Sequence, residues 1–263
     1  MAQTQTLRVC MAGATGWTGR AIVSGLRGAP DLVLASAVSR SAAGSTLDDG
    51  VPVYATVSEA LDGVDVLVDY TVVDVVKDNT LAAIEAGVSV VIGTSGLAAA
   101  DFDDIDAAAR EHSLGVVASG NFSLTAAMAQ AAALLAARHL PQWEVIDYAS
   151  ATKPDVPSGT AREMAERLGE VRAPERGHPI EDLHGPQEAR GARVAGTQVH
   201  SVRLPSFVVS TEVVFGLPEE RLTIRHDAGS SPEPYVAGTL VAVRAVPGLV
   251  GLTRGLDNLL LRD

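Results

Sequence analysis

The chain has 263 residues, with 20 lysines and arginines against 32 aspartates and glutamates, and a formal net charge of −12 at pH 7. That length is enough for one large domain or two modest ones, and hydrophobic residues make up 47%, which provides for a full core. The acidic balance would repel a phosphate backbone, so nucleic acid is not an expected partner.

The cysteine count and the lengths of the apolar runs further limit the class of protein to which the chain can belong. A single cysteine, Cys10, excludes an internal disulfide framework and a cysteine zinc site. His178 and His184 are predicted to be loop histidines, and no metal site is expected. No run of about twenty apolar residues occurs, and residues 1–6 are polar, so we expect a cytoplasmic protein without a membrane partner.

The first half of the chain alternates between short apolar runs and stretches with helical spacing. The predicted elements, in chain order, are a strand at 7–12, a helix at 16–26, a strand at 32–38, a helix at 57–61, a strand at 64–70, a helix at 75–86, a strand at 88–92, a helix at 101–111 and a strand at 115–118. Asp101 is the predicted N-cap of its helix. This alternation predicts a Rossmann-type, doubly wound parallel sheet, and so an α/β fold class.

A long helix follows at 124–139, and after Pro141 the pattern changes. The next predicted elements are a strand at 143–148, a helix at 160–168, a long loop at 172–195, strands at 197–204, 208–215 and 221–226, a helix at 235–246 and a terminal segment at 256–261. Strands in direct succession indicate a mainly antiparallel sheet, and therefore a second domain of α+β type. We expect one domain to comprise 1–122 with 236–263, and the other to comprise 123–235.

A glycine-rich loop follows the first predicted strand and opens the first helix. Its sequence, Gly13-Ala14-Thr15-Gly16-Trp17-Thr18-Gly19, is a variant of the G-x-G-x-x-G fingerprint. Glycines permit a tight turn there, and backbone N–H groups at a helix N-terminus bind a pyrophosphate. The loop predicts a dinucleotide-binding site.

The end of the second strand predicts which dinucleotide is bound. An acidic residue there would bind the 2′-hydroxyl of NAD, but the chain has Ser39-Arg40-Ser41. A guanidinium and two hydroxyls suit a 2′-phosphate, so NADPH is expected as the cofactor, with NADH as the alternative.

Four further segments, taken with the glycine loop, are similar to those of the dihydrodipicolinate reductase family of lysine and diaminopimelate synthesis. They are Gly93-Thr94-Ser95-Gly96, Ser119-Gly120-Asn121-Phe122-Ser123, Lys153-Pro154-Asp155-Val156-Pro157-Ser158-Gly159-Thr160-Ala161, and Thr223-Ile224-Arg225-His226 with the later Tyr235-Val236-Ala237-Gly238. The resemblance extends along nearly the whole chain, and the segment that begins at Lys153 is its most specific part.

The resemblance implies an NADPH-dependent reductase of a small cyclic imine or other C=N carboxylate substrate, typically a homotetramer. Domain 1–122 with 236–263 would bind the dinucleotide, and domain 123–235 would bind substrate and mediate oligomerisation. The implied cofactor-binding residues are Gly13, Ala14, Thr15, Gly16, Trp17, Thr18, Ser39, Arg40, Ser41, Thr71, Gly93, Thr94, Ser95, Ser119, Gly120, Asn121 and Phe122. The implied substrate-binding residues are Ser158, Gly159 and Thr160, together with Lys153.

The residues of the substrate segment support an anion site on their own. Ser158-Gly159-Thr160 opens a helix, whose backbone donors and dipole attract a carboxylate, and Lys153 adds a positive charge. The alternative is that Ser158 and Thr160 only cap the helix and that Lys153 is solvated.

The chain departs from the family pattern on the substrate side. Ala149 and Ser150 stand where the family has a His-His pair before its lysine, one of which is proposed to protonate the ring. Asp227 and Pro232 replace two expected cations. We therefore expect Lys153 to be the catalytic residue and Ser150 to contact substrate, with His226 a second candidate proton donor. Reduction of another imine, an amino-acid dehydrogenase activity and a catalytically silent NADPH sensor stay open.

Overall fold

The computed structural model describes residues 6–175 and 177–261. The described part of the chain divides into two compact units, one from residues 6–124 with 232–261 and the other from residues 125–175 with 177–231. No helix in the described ranges has the length and hydrophobicity that a membrane span requires.

The strands and helices of the described residues are as follows. The strands are β1 (Leu7–Ala12), β2 (Leu32–Val38), β3 (Val53–Tyr54), β4 (Val66–Asp69), β5 (Ser89–Ile92), β6 (Gly115–Ala118), β7 (Gln142–Ala149), β8 (Ala192–Val194), β9 (Thr197–Arg203), β10 (Val209–Leu217), β11 (Glu220–Ala228) and β12 (Gly251–Arg254). The helices are α1 (Trp17–Arg27), α2 (Val57–Ala60), α3 (Val73–Glu85), α4 (Ala99–Glu111), α5 (Leu124–Ala137), α6 (Gly159–Val171), α7 (Pro234–Ala245) and α8 (Asp257–Leu260).

The first unit contains a seven-stranded sheet in the order β12-β6-β5-β4-β1-β2-β3. Every strand pair in it is parallel, which confirms the predicted Rossmann-type sheet. The strands β4, β5 and β6 are buried along their whole length, as the near-continuous apolar runs require when helices cover both faces. In this sheet β1 lies between β2 on one side and β4 on the other, so the strand order reverses at β1. The carboxyl end of β1 is therefore a topological switch point, where sheets of this kind bind ligands.

The second unit contains a five-stranded sheet in the order β11-β10-β7-β9-β8. The β7–β9 pair is parallel and the other pairs are antiparallel, so the predicted mainly antiparallel sheet is confirmed. Along β7, buried residues alternate with half-buried ones. Trp143 and Val145 on its inner face pack with Leu168 of α6 and Phe215 of β10.

Several local predictions were wrong. The segment 172–195 is not a continuous loop, because it contains two short 3-10 turns and the three-residue strand β8, whose Ala192 and Arg193 are exposed. The two-residue β3 and the strand β12 were also missed; β12 begins at Gly251 and carries polar residues at 253 and 254. Asp101 is not the N-cap of α4. That position is Ala98, and the Asp101 carboxylate accepts from the Ala98 amide at 2.9 Å.

The single cysteine is a core residue. Cys10 is 0% exposed on β1, and burial raises the pKa of its thiol to about 12. It therefore behaves as a small apolar side chain.

Candidate active site

There is no room for a side chain at Gly13, in the turn between β1 and α1, or at Gly19, in the first turn of α1. Gly13 has a φ of +83°, in the left-handed region that favours glycine. A Cβ atom on Gly13 would collide with the carbonyl oxygen of Tyr70, and one on Gly19 would collide with that of Gly13. Gly16 provides no side-chain cap, so the first-turn amides of α1 are left without one. This arrangement of backbone donors at a helix N-terminus suits a pyrophosphate.

A chain of hydroxyl groups connects this turn to the end of β2. The Thr15 and Ser39 hydroxyl oxygens are 2.7 Å apart, and those of Ser39 and Ser41 are 3.3 Å apart. Arg40 is exposed and begins a short 3-10 turn. The structure thus brings two predicted parts of the cofactor site together, with the Arg40 guanidinium at the surface.

Trp17 is the first residue of α1 and lies at the surface. Its side chain is 57% exposed, and its ring is edge-on to that of Tyr235, with 6.4 Å between the ring centroids. Its neighbours Ala14 and Thr18 are buried and half-buried respectively.

A buried carboxylate that the sequence interpretation missed organises the ends of β4 and β5. Asp69 is 0% exposed. Its Oδ1 accepts from the Thr71 amide at 2.9 Å, the Thr71 hydroxyl at 2.6 Å and the Thr94 hydroxyl at 2.8 Å. Its Oδ2 accepts from Asn79 Nδ2 at 2.8 Å. The available signal was an aspartate that ends an otherwise apolar run, two residues before a threonine.

The Asp69 contacts define how two predicted cofactor residues can bind. A hydroxyl has one proton, and Thr71 and Thr94 each donate theirs to Asp69. Towards a ligand, both oxygens can therefore only accept. Such acceptors suit the ribose hydroxyls or the carboxamide NH₂ of a nicotinamide nucleotide, and they do not suit a phosphate.

Aromatic packing supports the loop after β5. A Cβ atom on Gly93 would collide with the Tyr70 ring, whose hydroxyl lies 2.7 Å from the Thr239 hydroxyl oxygen. Burial raises the pKa of the Tyr70 phenol. Phe122 is only 1% exposed and stacks edge-on against Tyr70, so its ring is a packing group. Ser95 is exposed next to this loop.

The segment after β6 is a tight polar turn. Ser119 donates its hydroxyl to the Asn121 carbonyl at 3.0 Å, and the Asn121 side chain accepts from the Ser123 amide at 2.8 Å. Ser119 and Asn121 are buried, and Gly120 between them is half-buried. The predicted cofactor residues therefore follow β1, β2, β4, β5 and β6, at the same carboxyl edge of the parallel sheet.

In the second unit, α6 begins where the sequence predicted an anion site. Ser158 is the N-cap, and its hydroxyl oxygen accepts from the Ala161 amide at 3.3 Å. Gly159 and Thr160 form the first positions of the helix. Lys153 lies earlier in the same segment, and its Nζ is 2.9 Å from Asp155 Oδ1. In this ion pair the lysine side chain is 29% exposed.

The two positions that lack the family histidines carry no titratable group. Ala149 is 0% exposed at the end of β7. The Ser150 hydroxyl oxygen lies 3.1 Å from that of Thr152. Among the described residues no group of three or more His, Cys, Asp and Glu side chains could hold a metal ion.

His226 lies on β11, beside the start of α5. Its Nε2 is 3.1 Å from the Thr125 hydroxyl oxygen, while its buried Nδ1 has no partner within the described ranges. Burial lowers the pKa of the ring, although Asp227 opposes this shift. The Asp227 carboxylate itself pairs with the Arg225 guanidinium at 2.9 Å.

The parallel sheet and its glycine turn define a dinucleotide-binding protein of the Rossmann type. Two family models match the chain: "Dihydrodipicolinate reductase, N-terminus" over residues 7–122 and "Dihydrodipicolinate reductase, C-terminus" over residues 120–257. The chain belongs to the dihydrodipicolinate reductase family. It is an NAD(P)H-dependent oxidoreductase that acts on a C=N or C=C bond of a small carboxylate.

Curated relatives and one solved structure agree with this assignment, and a second solved structure shares the fold. The chain is 38% identical to the 4-hydroxy-tetrahydrodipicolinate reductase of Moorella thermoacetica and 33% identical to that of Bacillus pumilus, with 97% of this chain and 98% of each relative covered. The dipicolinate-bound dihydrodipicolinate reductase of Paenisporosarcina sp. TG-14 is 27% identical, with a TM-score of 0.78 and coverage of 96% of this chain and 99% of that one. GenD2 from gentamicin A biosynthesis, in complex with NAD, shares the fold at 17% identity and a TM-score of 0.67, over 97% of this chain and 90% of GenD2.

Proposed function

We propose that this protein reduces 4-hydroxy-tetrahydrodipicolinate, or a closely similar cyclic imine dicarboxylate, with NADPH. The observation that carries the proposal is the segment from Lys153 to Thr160. It folds into a helix N-terminus preceded by an ammonium group, which matches a small substrate with more than one carboxylate.

The cofactor proposal rests on the carboxyl edge of the parallel sheet. The α1 N-terminus would bind the pyrophosphate, and Arg40 with Ser39 and Ser41 would bind the 2′-phosphate of NADPH. Thr71 and Thr94 would accept from the nicotinamide half. The nearby predicted contacts are Gly93, Ser95, Ser119, Gly120, Asn121 and the backbone of Phe122.

Bound in this way, NADPH supplies the hydride. The chain's own residues bind and orient the substrate and provide a proton. Gly159 and Thr160 would bind one carboxylate at the helix N-terminus, and Ser150 would contact the substrate near the end of β7. Lys153 is the one ammonium group in this segment, and we propose that it holds the substrate and supplies the proton, directly or through water.

The missing histidines favour a second candidate, the same fold with another imine or an amino-acid dehydrogenase substrate. Ala149 cannot donate a proton, and the Ser150 hydroxyl is too weak an acid near neutral pH. A third possibility, a silent NADPH sensor, is opposed by the intact Lys153 and the helix N-terminus after it.

We also propose an oligomer of this chain, on the basis of one face of the sheet in the second unit. The face of the sheet turned away from the core carries Tyr148, stacked on Phe207 with ring centroids 4.9 Å apart and covered by the Arg225 guanidinium. A cavity of about 720 Å³, lined by Glu144 and His200 among others, opens on the same face. We propose that copies of the chain pair through this face to form a homotetramer, and light scattering of the purified protein would measure its mass.

Consumption of NADPH tests the reaction directly. The substrate is generated in the assay from pyruvate and aspartate semialdehyde by the synthase that joins them, and NADPH absorbance is followed. Turnover on the order of 1 to 1000 per second supports the proposal. NADPH binding without turnover would contradict it, and a screen of other cyclic imines, and of keto acids with ammonia, would separate the alternatives.

A further inference from the structure

Asp147, a residue of β7, connects the sheet of the second unit to the start of α6. Its side chain is 0% exposed. Its carboxylate accepts from the Ser158 amide at 2.9 Å, the Ser158 hydroxyl at 2.7 Å, the Ser201 hydroxyl at 3.0 Å and Arg203 Nη2 at 2.7 Å. Four donors from two separate segments, the start of α6 and the strand β9, therefore converge on one buried charge.

These contacts leave Ser158 without a donor for substrate. A serine has two hydrogen-bond donors, its amide and its hydroxyl, and both go to Asp147. The Ser158 oxygen accepts from the Ala161 amide, and the residue is only 1% exposed. A carboxylate needs donors, so Ser158 cannot provide the direct contact that its place in the family motif implies.

Arg203 extends the same network to the middle of the substrate segment. The Nη2 atom that pairs with Asp147 also donates to the Asp155 carbonyl at 2.8 Å. Asp155 in turn pairs with Lys153 through its side chain. The ion pair between Arg203 and the buried Asp147 thus holds the N-cap of α6 at one end of the segment. At the other end it holds the backbone carbonyl of Asp155, the partner of Lys153.

We infer that Asp147 is a positioning residue for the substrate site, and that Ser158 acts through Asp147 without touching the substrate. This inference rests on the proposed function, because it takes the α6 N-terminus as the carboxylate site. The direct contacts then come from Lys153, Gly159 and Thr160. Asp147 fixes their geometry, since a small displacement of binding groups weakens a pre-organised site strongly.

The test compares four variants of the full-length protein: Asp147→Asn, Ser158→Ala, the double variant, and Ser201→Ala as the matched control. Ser201→Ala removes one bond to the same carboxylate and leaves the substrate segment intact. Each protein, loaded with NADPH, is titrated with dipicolinate, a planar dicarboxylate. The dissociation constant of NADPH and the thermal midpoint are measured alongside.

The expected result is a dipicolinate Kd raised on the order of ten- to a hundredfold in Asp147→Asn and in Ser158→Ala, with an unchanged NADPH Kd. The double variant is expected to be no weaker than the weaker single variant, because the two residues act as one unit. Ser201→Ala should keep the wild-type dipicolinate Kd. Effects that multiply in the double variant, or an unchanged Kd in Ser158→Ala, would overturn the inference.

Amide hydrogen exchange separates this inference from the proposed function. Exchange in a peptide spanning 153–161 is expected to accelerate in Asp147→Asn and Ser158→Ala, but not in Ser201→Ala, whichever ligand the protein binds. A wild-type protein that binds no dipicolinate would contradict the proposed function alone. Unchanged exchange in Ser158→Ala, a variant that keeps the Asp147–Arg203 pair, would contradict the positioning role.

Discussion

The ammonium group of Lys153 lies 2.9 Å from Oδ1 of Asp155, so the positive charge of the substrate segment already has an anionic partner. A substrate carboxylate must compete with that partner. In Asp155→Asn the competing charge is gone, and we expect dipicolinate to bind roughly two- to fivefold more tightly, in keeping with a partly exposed ion pair. Isothermal titration measures this, and weaker binding would show that Asp155 orients Lys153 for substrate.

Replacement of Lys153 tests its catalytic assignment. Lys153→Ala is expected to lower kcat/KM by about 10²- to 10⁴-fold, because it removes both a carboxylate contact and the proton source. Lys77→Ala is a suitable control, since Lys77 also pairs with an aspartate, Asp101 at 2.9 Å. A Lys153→Ala enzyme with undiminished turnover would remove this lysine from the mechanism.

The two substitutions of Asp69 should differ in their effects. Asp69→Ala removes the carboxylate that accepts from the partly buried donors of Thr71, Thr94 and Asn79. We therefore expect a loss of about 1 to 3 kcal/mol in unfolding free energy and weaker NADPH binding. In Asp69→Asn the amide oxygen still accepts from both threonines, and the Asn79 amide can flip to accept from the new NH₂. The asparagine variant should therefore stay close to wild type, and urea unfolding with NADPH titration compares the two.

Arg40 is predicted to decide between the two nicotinamide cofactors. Arg40→Ala should raise the NADPH Kd by about ten- to a hundredfold, the range of a lost charge-assisted contact, and should leave the NADH Kd unchanged. Arg20→Ala, which removes another exposed arginine of the same unit, serves as the control. Equal losses for both cofactors would place Arg40 away from the 2′-phosphate.

Acidification should destabilise the protein in part through His226. Burial lowers the pKa of its ring below the ordinary value of 6.5. The unfolded chain therefore binds a proton at His226 more readily than the folded chain does. The contribution of the neutral His226 ring to the free energy of unfolding is fully present above pH 6.5 and is lost as the pH falls through the folded-state pKa. Urea unfolding of wild type and His226→Gln at pH values on either side of 6.5 isolates the residue. We expect wild type to lose more stability than the variant on acidification.

The local pattern of apolar residues in the sequence predicted much of the fold. The strands at 7–12, 32–38 and 115–118 have the predicted bounds, because a continuous apolar run in a parallel sheet ends where the chain leaves the core. The strand β8 could not be predicted in this way, because its three residues are too few for a recognisable apolar run. It is held by pairing with β9, and pairing leaves no apolar pattern in the sequence.

What the sequence by itself determined is the glycine turn before α1 and the helix that begins at Ser158, since turn chemistry and helix caps involve neighbouring residues. Only the tertiary structure decided how the site residues are held. Thr94 reaches Asp69 across 25 positions, and Arg203 reaches Asp147 across 56. Such contacts depend on which strand ends the sheets bring together, and a buried carboxylate is stable there because distant donors converge on it.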